Sequence, residues 1–405
     1  MLYKIRSNKY LQWLYAKYKI NNYYNKKEPN LIVSLDNLIE KRKSSLKDIF
    51  KIRDKTLSFI ESMRILSEPY GQYCYSGAAN VPVLYASVYA ALCRHLYGDL
   101  DNLSSKERTQ WADYILAHQC EDGLFRDKIL ENYIAENVDW WGWRHLTVHA
   151  LMALCSLGTA TKNTFLLLEP FKNSRYCIRW LENKDWKWGL FTDLSNKIQN
   201  HVVLLQYARD FQDQQWAKDV IEEMFDWLDD KQNKKTGLWG SSSQSNFLLS
   251  LGIQFAYHIW VLYFYERRKV NYSHNIIDSC LINQNNYGGF GPFVNSSSCE
   301  DIDSIDPLCR LGYLSQYRKV EINNTLTKAI DWVLINMNED GGFVFRRNEP
   351  FAYGHKLMSS KENQSNMFAT WFRSLSLAYL GKALPDSVPG KFTWQFIKCP
   401  GYQYW

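Results

Sequence analysis

The chain lacks the signatures on which many enzyme assignments rest. No P-loop, no Gly-x-Gly-x-x-Gly and no Gly-x-Ser-x-Gly elbow occurs in its 405 residues, so phosphate cradles and serine-hydrolase elbows of standard form are excluded. Its nine cysteines are odd in number and none falls in a Cys-x-x-Cys pair, which argues against a disulfide framework or a zinc knuckle and points to a reducing cytoplasm. No uninterrupted apolar run of signal-peptide type stands at the start. Charge of one sign is also scarce: the net charge is +6, and much of it comes from Lys4, Arg6, Lys9, Lys17, Lys19, Lys26 and Lys27, which meet no acid. That balance gives no reason to expect nucleic acid as a partner. These basic residues alternate with Tyr3, Tyr10, Trp13, Tyr15, Tyr18, Tyr23 and Tyr24. The mixture suits either a peripheral contact with an anionic membrane surface or a helix packed across the body with its lysines in water. Phe247 to Tyr265 is free of Asp, Glu, Lys and Arg, but Ser250, Gln254 and His258 within it favour a helix buried on all sides over a membrane span.

What the chain has in quantity is aromatic side chains and a recurring turn. Trp, Tyr and Phe make up 16% of the residues, as suits stacked helices around an aromatic-lined cavity. A glycine followed by an apolar or aromatic residue recurs at Gly71, Gly123, Gly189, Gly237, Gly288 and Gly341, at spacings of 52, 66, 48, 51 and 53 residues. A period near fifty means one repeat architecture and not several domains. Each period holds an amphipathic segment before the glycine, such as 217–232 or 326–337, and an almost wholly apolar one after it, such as 81–97, 149–157, 201–207, 247–265 or 367–380. Neither helix of such a pair can bury its face alone, so the pattern predicts a single all-α (α/α)6 toroid over residues 56–405, with 1–55 as an N-terminal helical extension.

The densest acidic stretch is Glu300-Asp301-Ile-Asp303-Ser-Ile-Asp306, just after the turn Tyr287-Gly-Gly-Phe290. Asp306-Pro307 reads as a cap followed by the residue best tolerated at the first helical position, which would gather these carboxylates at a helix N-terminus. A solvated cap stabilised by the helix dipole accounts for the same charges. Aligning the apolar segments by their C-terminal ends and stepping back nine residues gives Tyr89, His149, His201, His258 and Asp306, a layer suited to acid-base chemistry if it faces a lumen. Trp140, Trp141 and Trp143 form an aromatic cluster, and with Tyr89 and Phe290 they are the candidate substrate-contacting rings.

The runs Gln119-Cys-Glu-Asp-Gly-Leu-Phe125, Gln232 to Trp239, Gln284 to Phe290 and Asn338 to Phe343 resemble the prenyltransferase and squalene oxidase repeat. That repeat is found in squalene-hopene and oxidosqualene cyclases and in protein prenyltransferase β subunits, and the likeness covers roughly residues 60–385. It implies the α/α toroid. Class II cyclases of that family carry Asp-x-Asp-Asp, whose middle aspartate protonates an alkene or epoxide; Asp301-Ile-Asp303-Ser304 matches three of the four positions. The resemblance makes Asp303 the acid, with Asp301 raising its pKa and Asp306 close by. The sequence thus leads to a terpenoid-cyclase-like enzyme acting on an isoprenoid or related lipid without metal or cofactor. The alternatives are a carbohydrate-active toroid, a lyase or hydrolase using His149, His201, His258 and Tyr89 on a glycan, and a non-catalytic toroid that binds a partner.

Overall fold

The computed structural model describes the chain apart from residues 1–27, 43–47, 68, 131–133, 188, 192 and 241–244. The basic aromatic segment considered for membrane contact therefore lies outside the described residues.

Thirteen α-helices follow one another among the described residues: α1 Glu28–Arg42, α2 Ile49–Ser62, α3 Leu84–Leu96, α4 Ser105–Leu116, α5 Trp143–Ser156, α6 Ser174–Glu182, α7 Leu194–Phe211, α8 Ala217–Lys231, α9 Asn246–Glu266, α10 Ser273–Ile282, α11 Ser298–Leu314, α12 Lys319–Ile335 and α13 Met367–Ala383. The odd-numbered helices from α3 to α13 are buried on nearly every face. In α13 every residue from Met367 to Gly381 is buried. Such helices have no side to offer to water and must be surrounded. They surround one another: α3 packs on α5, α5 on α7, α7 on α9, α9 on α11, α11 on α13, and α13 returns to α3, closing a ring of six. The even-numbered helices form the outer layer. In α8 the buried positions Val220, Ile221, Met224, Phe225 and Leu228 make one stripe while the acids between them face out. The fold is the all-α toroid of six helical pairs that the repeat predicts. Helix α9, long and apolar enough to cross a membrane, is an inner helix of this ring.

Helix α2 opens at Ile49, inside the stretch assigned from sequence to the extension, and Ile49, Ile52, Phe59 and Ile60 enter the main core. Of the described residues before α2, helix α1 lies against the outer layer, laying Leu31 and Leu35 on Trp332 and Ile335 of α12.

The repeat signature has a mechanical reading. The glutamine side-chain amides of Gln119, Gln232 and Gln284 each donate to the carbonyl of their turn glycine, at 3.0, 2.8 and 3.0 Å, and each also donates to a backbone carbonyl of the next repeat, on Asn163, Asn271 or Thr325. One side chain thus closes the turn and joins two repeats. At Gly341 φ is +92°, and a Cβ would stand 2.0 Å from the Lys55 carbonyl oxygen, so glycine is required there both by the backbone and by its neighbour.

After each of three turns the aromatic residue's amide is taken by an inner-helix side chain: Phe125 N–H by Thr147 Oγ1 (2.9 Å), Phe343 N–H by Thr370 Oγ1 (3.0 Å) and Phe290 N–H by Asp301 Oδ1 (2.8 Å). Asp301 therefore holds a position that threonine fills in two sister repeats.

Helix α11 does not begin at Asp306. Ser297 and Glu300 form a reciprocal capping box and start the helix at Ser298, leaving Pro307 inside it. A Ser-x-x-Glu box satisfies two orphan amides, whereas an aspartate before proline satisfies at most one, so the earlier start prevails. Pro307 lacks the amide that would bond the carbonyl of residue 303, four positions back.

Candidate functional site

The lumen of the ring is filled by side chains. Tyr89 stacks on Trp371 at 5.2 Å and meets His149 edge-on at 5.4 Å. Residues 359–360 and Phe351–Ala352 pair as a two-stranded antiparallel hairpin that brings Tyr353 over one side, against Tyr85 and Phe368. The Tyr353 hydroxyl donates to the carbonyl of Trp140 (2.8 Å), and that of Tyr85 donates to the carbonyl of Trp141 (3.0 Å).

From the other end of the chain comes Tyr402. Its ring stacks on His149 at 5.6 Å and touches Phe372, Tyr257, Trp371 and His258 at 5.7 to 6.5 Å; its hydroxyl donates to Gln199 Oε1 at 2.6 Å. Segment 392–405 seals this end: Gln403 bonds the Trp371 indole and the Leu92 carbonyl, and Arg310 donates to the Tyr404 carbonyl.

The four acids of the 300–306 stretch all lie on α11 and all are buried, so a solvated cap is ruled out. Three of them are neutralised. Glu300 pairs with Arg346 at 2.6 Å, Asp301 with the fully buried Arg373, and Asp306 with Arg310 at 2.5 Å. Asp301 also accepts from Ser296 Oγ (2.6 Å) and Trp332 Nε1 (2.8 Å); burial pushes its carboxyl up against the pull of Arg373 and these donors. Asp306 accepts from the Tyr257 hydroxyl at 3.1 Å, and burial outweighs Arg310 in raising it.

Asp303 is the exception. It is 4% exposed and makes no hydrogen bond or ion pair with any described residue. Burial, then the nearby Glu300, Asp301 and Asp306, push its carboxyl well above the usual carboxylate range. Among these causes burial comes first and Asp301 third, so like-charge proximity, the cause expected from sequence, is secondary. Asp303 also acts on Tyr402, whose phenol it helps to raise. Asp303 is thus a buried carboxyl with no arginine of its own, biased toward its protonated form and close enough to Tyr402 and Tyr257 to act on both phenols.

The histidine layer assembles in part. His149 and His258 both face Tyr402, and burial lowers each imidazole to about 4, leaving both neutral. His258 Nδ1 lies 3.0 Å from Ser195 Oγ, while His149 Nε2 is buried without a partner, as is Gln199 Nε2. His201 does not join them. Its ring packs outward between Trp180 of α6, at 4.9 Å, and Phe171, at 5.7 Å. The residue of α7 that reaches the lumen is Gln199, two positions earlier, and two residues rotate a helix by roughly 200°. The inner helices do not end level, so stepping back from their ends misplaced this register. For the same reason the partner of His149 on α11 is Asp303 rather than Asp306: counted from the matched turn-binding positions Thr147 and Asp301, both lie two residues on.

Of the remaining sequence candidates, Trp141 and Trp143 are buried wall residues, Trp140 is half-buried beside Tyr353, and Phe290 is buried in its turn. Tyr402, Gln199, Arg373 and Arg310 were missed by the sequence reading. Arg373, the one charged residue in the buried run 367–381 of α13, was the available signal, because a buried guanidinium requires a carboxylate. Two cavities are lined by other residues, one of about 450 Å³ at Arg175, Ile178, Arg179 and Glu223, and one of about 270 Å³ between Ser62 and Asn80.

His201→Leu tests the outward placement. A neutral buried histidine whose folded pKa is depressed to about 4 from 6.5 gives stability that is present above pH 6.5 and lost as pH falls toward 4. The leucine variant should keep ligand binding and turnover, and its thermal midpoint should fall less steeply than that of the wild type between pH 6.5 and 4. A variant that loses activity at neutral pH would put His201 back in the site.

No protein-family model matches the chain, and no curated protein does. Among solved structures the chain is similar to a GH76 α-mannanase of Bacteroides thetaiotaomicron, with 12% sequence identity and a TM-score of 0.45 over 83% of this chain and 95% of that one.

Proposed function

We propose that the protein is an enzyme that protonates a neutral small molecule through Asp303, with the substrate taking the place that the Tyr402 ring occupies in the lumen. The observation that carries this reading is the isolation of Asp303: of four buried acids on one helix, three are matched to arginines and this one is left alone. A buried polar group without a partner costs stability, and such a cost is characteristic of functional sites. A carboxyl kept protonated near neutral pH is what a general acid needs. The arginines near it are already neutralised, so an anionic substrate finds no free cation among them. An isoprenoid fits this setting, since ring faces such as those of Trp371, Tyr89, Phe372 and Tyr257 stabilise a developing carbocation. The lack of a second uncommitted carboxylate in the acidic stretch argues against the paired-acid mechanism of glycoside hydrolysis.

One observation favours a second reading, a glycan substrate. The buried, unpartnered Nε2 atoms of His149 and Gln199 offer hydrogen bonds that a hydroxyl-rich ring would use and a hydrocarbon would not.

Incubation with linear isoprenoids and, separately, with oligosaccharides, followed by mass spectrometry, tests both. The first reading expects a cyclised isoprenoid of unchanged mass, or one heavier by a water, and no product from Asp303→Asn. Shortened oligosaccharides would instead establish the second. If neither class is altered at any pH between 5 and 8, the catalytic reading fails and the toroid is a binding module.

A further inference from the structure

Segment 392–405 crosses the C-terminal ends of the inner helices, and one point of that crossing carries a matched pair of thiols. Cys155 stands in the last turn of α5, half-buried, and its Sγ lies 3.9 Å from the carbonyl oxygen of Lys398. The carbonyl that Cys155 Sγ faces is bonded to the backbone nitrogen of the buried Cys399, which brings the two thiols to the same point of the crossing. Two residues further on, Gly401 has φ +130° and passes so close to α5 that a Cβ would lie 2.5 Å from Met152 Sδ. Tyr402 then enters the lumen. The chain at this place has no slack between the thiol pair and the ring that fills the candidate site.

We propose that Cys155 and Cys399 form a reversible disulfide that ties segment 392–405 to helix α5 and fixes Tyr402 in the lumen. The two thiols have complementary roles. Cys155 is half-exposed and Cys399 buried, and the neighbouring Cys399 draws the Cys155 thiol down while burial pushes Cys399 up, so Cys155 is the attacking sulfur and Cys399 the resolving one. The oxidant is a low-molecular-weight disulfide. The Cys155 thiolate attacks one of its sulfurs, forming a mixed disulfide and expelling the first small thiolate. The Cys399 thiol gives up its proton and attacks the Cys155 sulfur, forming the protein disulfide and expelling the second. Two protein thiols are oxidised, one small disulfide is reduced to two small thiols, and both protons end on those thiols. Excess small thiol runs the steps backward.

The bond joins positions 155 and 399, far apart in sequence but adjacent in the fold, and so restricts opening of the segment rather than reshaping the ring. That the bond would shut the site against substrate rests on the proposed enzymatic reading; the bond itself does not, and its test uses no substrate. The full chain is equilibrated with oxidised glutathione, free thiols are blocked with N-ethylmaleimide, and tryptic peptides are weighed. The expected result is a peptide pair linking Cys155 to Cys399, two hydrogens lighter than the sum of its parts, that disappears after treatment with reduced glutathione. On oxidation, amide exchange at residues 401–404 should slow at least tenfold. Cys155→Ser, at a half-exposed position, should keep the fold by circular dichroism and lose both effects. Finding Cys155 only as a glutathione mixed disulfide, with Cys399 still free, would overturn the proposal. So would a linked pair whose exchange at 401–404 matches that of Cys155→Ser.

Discussion

Replacing Asp303 by asparagine should abolish turnover and, at neutral pH, raise the thermal midpoint. The two effects have one cause. In the folded protein burial holds the carboxyl well above its usual range, whereas in the unfolded chain it ionises near 3.9. Below that value both states are protonated and the residue costs nothing electrostatically. As pH rises from there toward the folded pKa, the unfolded state ionises and the folded state does not, and stability falls by about 1.4 kcal/mol per pH unit. Asparagine never ionises, so the variant escapes this loss. Its amide brings two donors with no acceptor beside them, a fixed cost of about 1–3 kcal/mol that does not change with pH. The difference in midpoint between variant and wild type should therefore grow between pH 4 and 7, while turnover drops by roughly 10² to 10⁴, the usual share of a general acid. Activity of the wild type should fall as pH rises through the folded pKa, because the acid form is the active one. A midpoint difference that stays flat across pH would mean that Asp303 is ionised in the folded protein, and the acid role would go with it.

The features read correctly from sequence are those fixed by local chemistry. A turn that needs positive φ at Gly341 and a glutamine that closes it at Gln119, Gln232 and Gln284 leave marks in the chain every fifty residues or so. Six such marks gave six helical pairs. The misreadings concern rotation and long-range contact. Helices α5, α7 and α13 are buried on almost all sides, so no polar stripe marks the face that points to the lumen, and His201 was placed inward when Gln199 holds that place. Tyr402 reaches the centre from the opposite end of the sequence, and nothing near it in the chain announces His149 as its neighbour. The stretch around Asp303 was singled out for its charge. That Asp303 is left unpaired among these acids depends on Arg346 and Arg373, which stand 46 and 72 residues from Glu300 and Asp301, and on Arg310, whose i,i+4 spacing from Asp306 is the one local sign.

Asp301 should prove structural, and the largest loss of stability in the molecule is expected on breaking its pair with Arg373. Asp301→Ala removes the acceptor used by the Phe290 amide, the Ser296 hydroxyl and the Trp332 indole, and it strands a fully buried guanidinium. Stranding one partner of a buried pair costs about 3–5 kcal/mol. Asp301→Thr is more informative, because threonine does the same work for the Phe125 and Phe343 amides in the sister repeats. Alone, it still leaves Arg373 unmatched and should be almost as damaging as alanine. Combined with Arg373→Leu, which removes the stranded charge and keeps apolar bulk, it should recover most of the loss, so that the double variant is more stable than either single one. Denaturant titrations of the three proteins measure this directly. Turnover per folded molecule in the double variant separates the two roles considered for Asp301: a residue that acts only by pairing and by closing the turn leaves it near the wild-type value. Losses that simply add in the double variant would show that the pair is not coupled. Activity that vanishes in a stable double variant would return Asp301 to the chemistry.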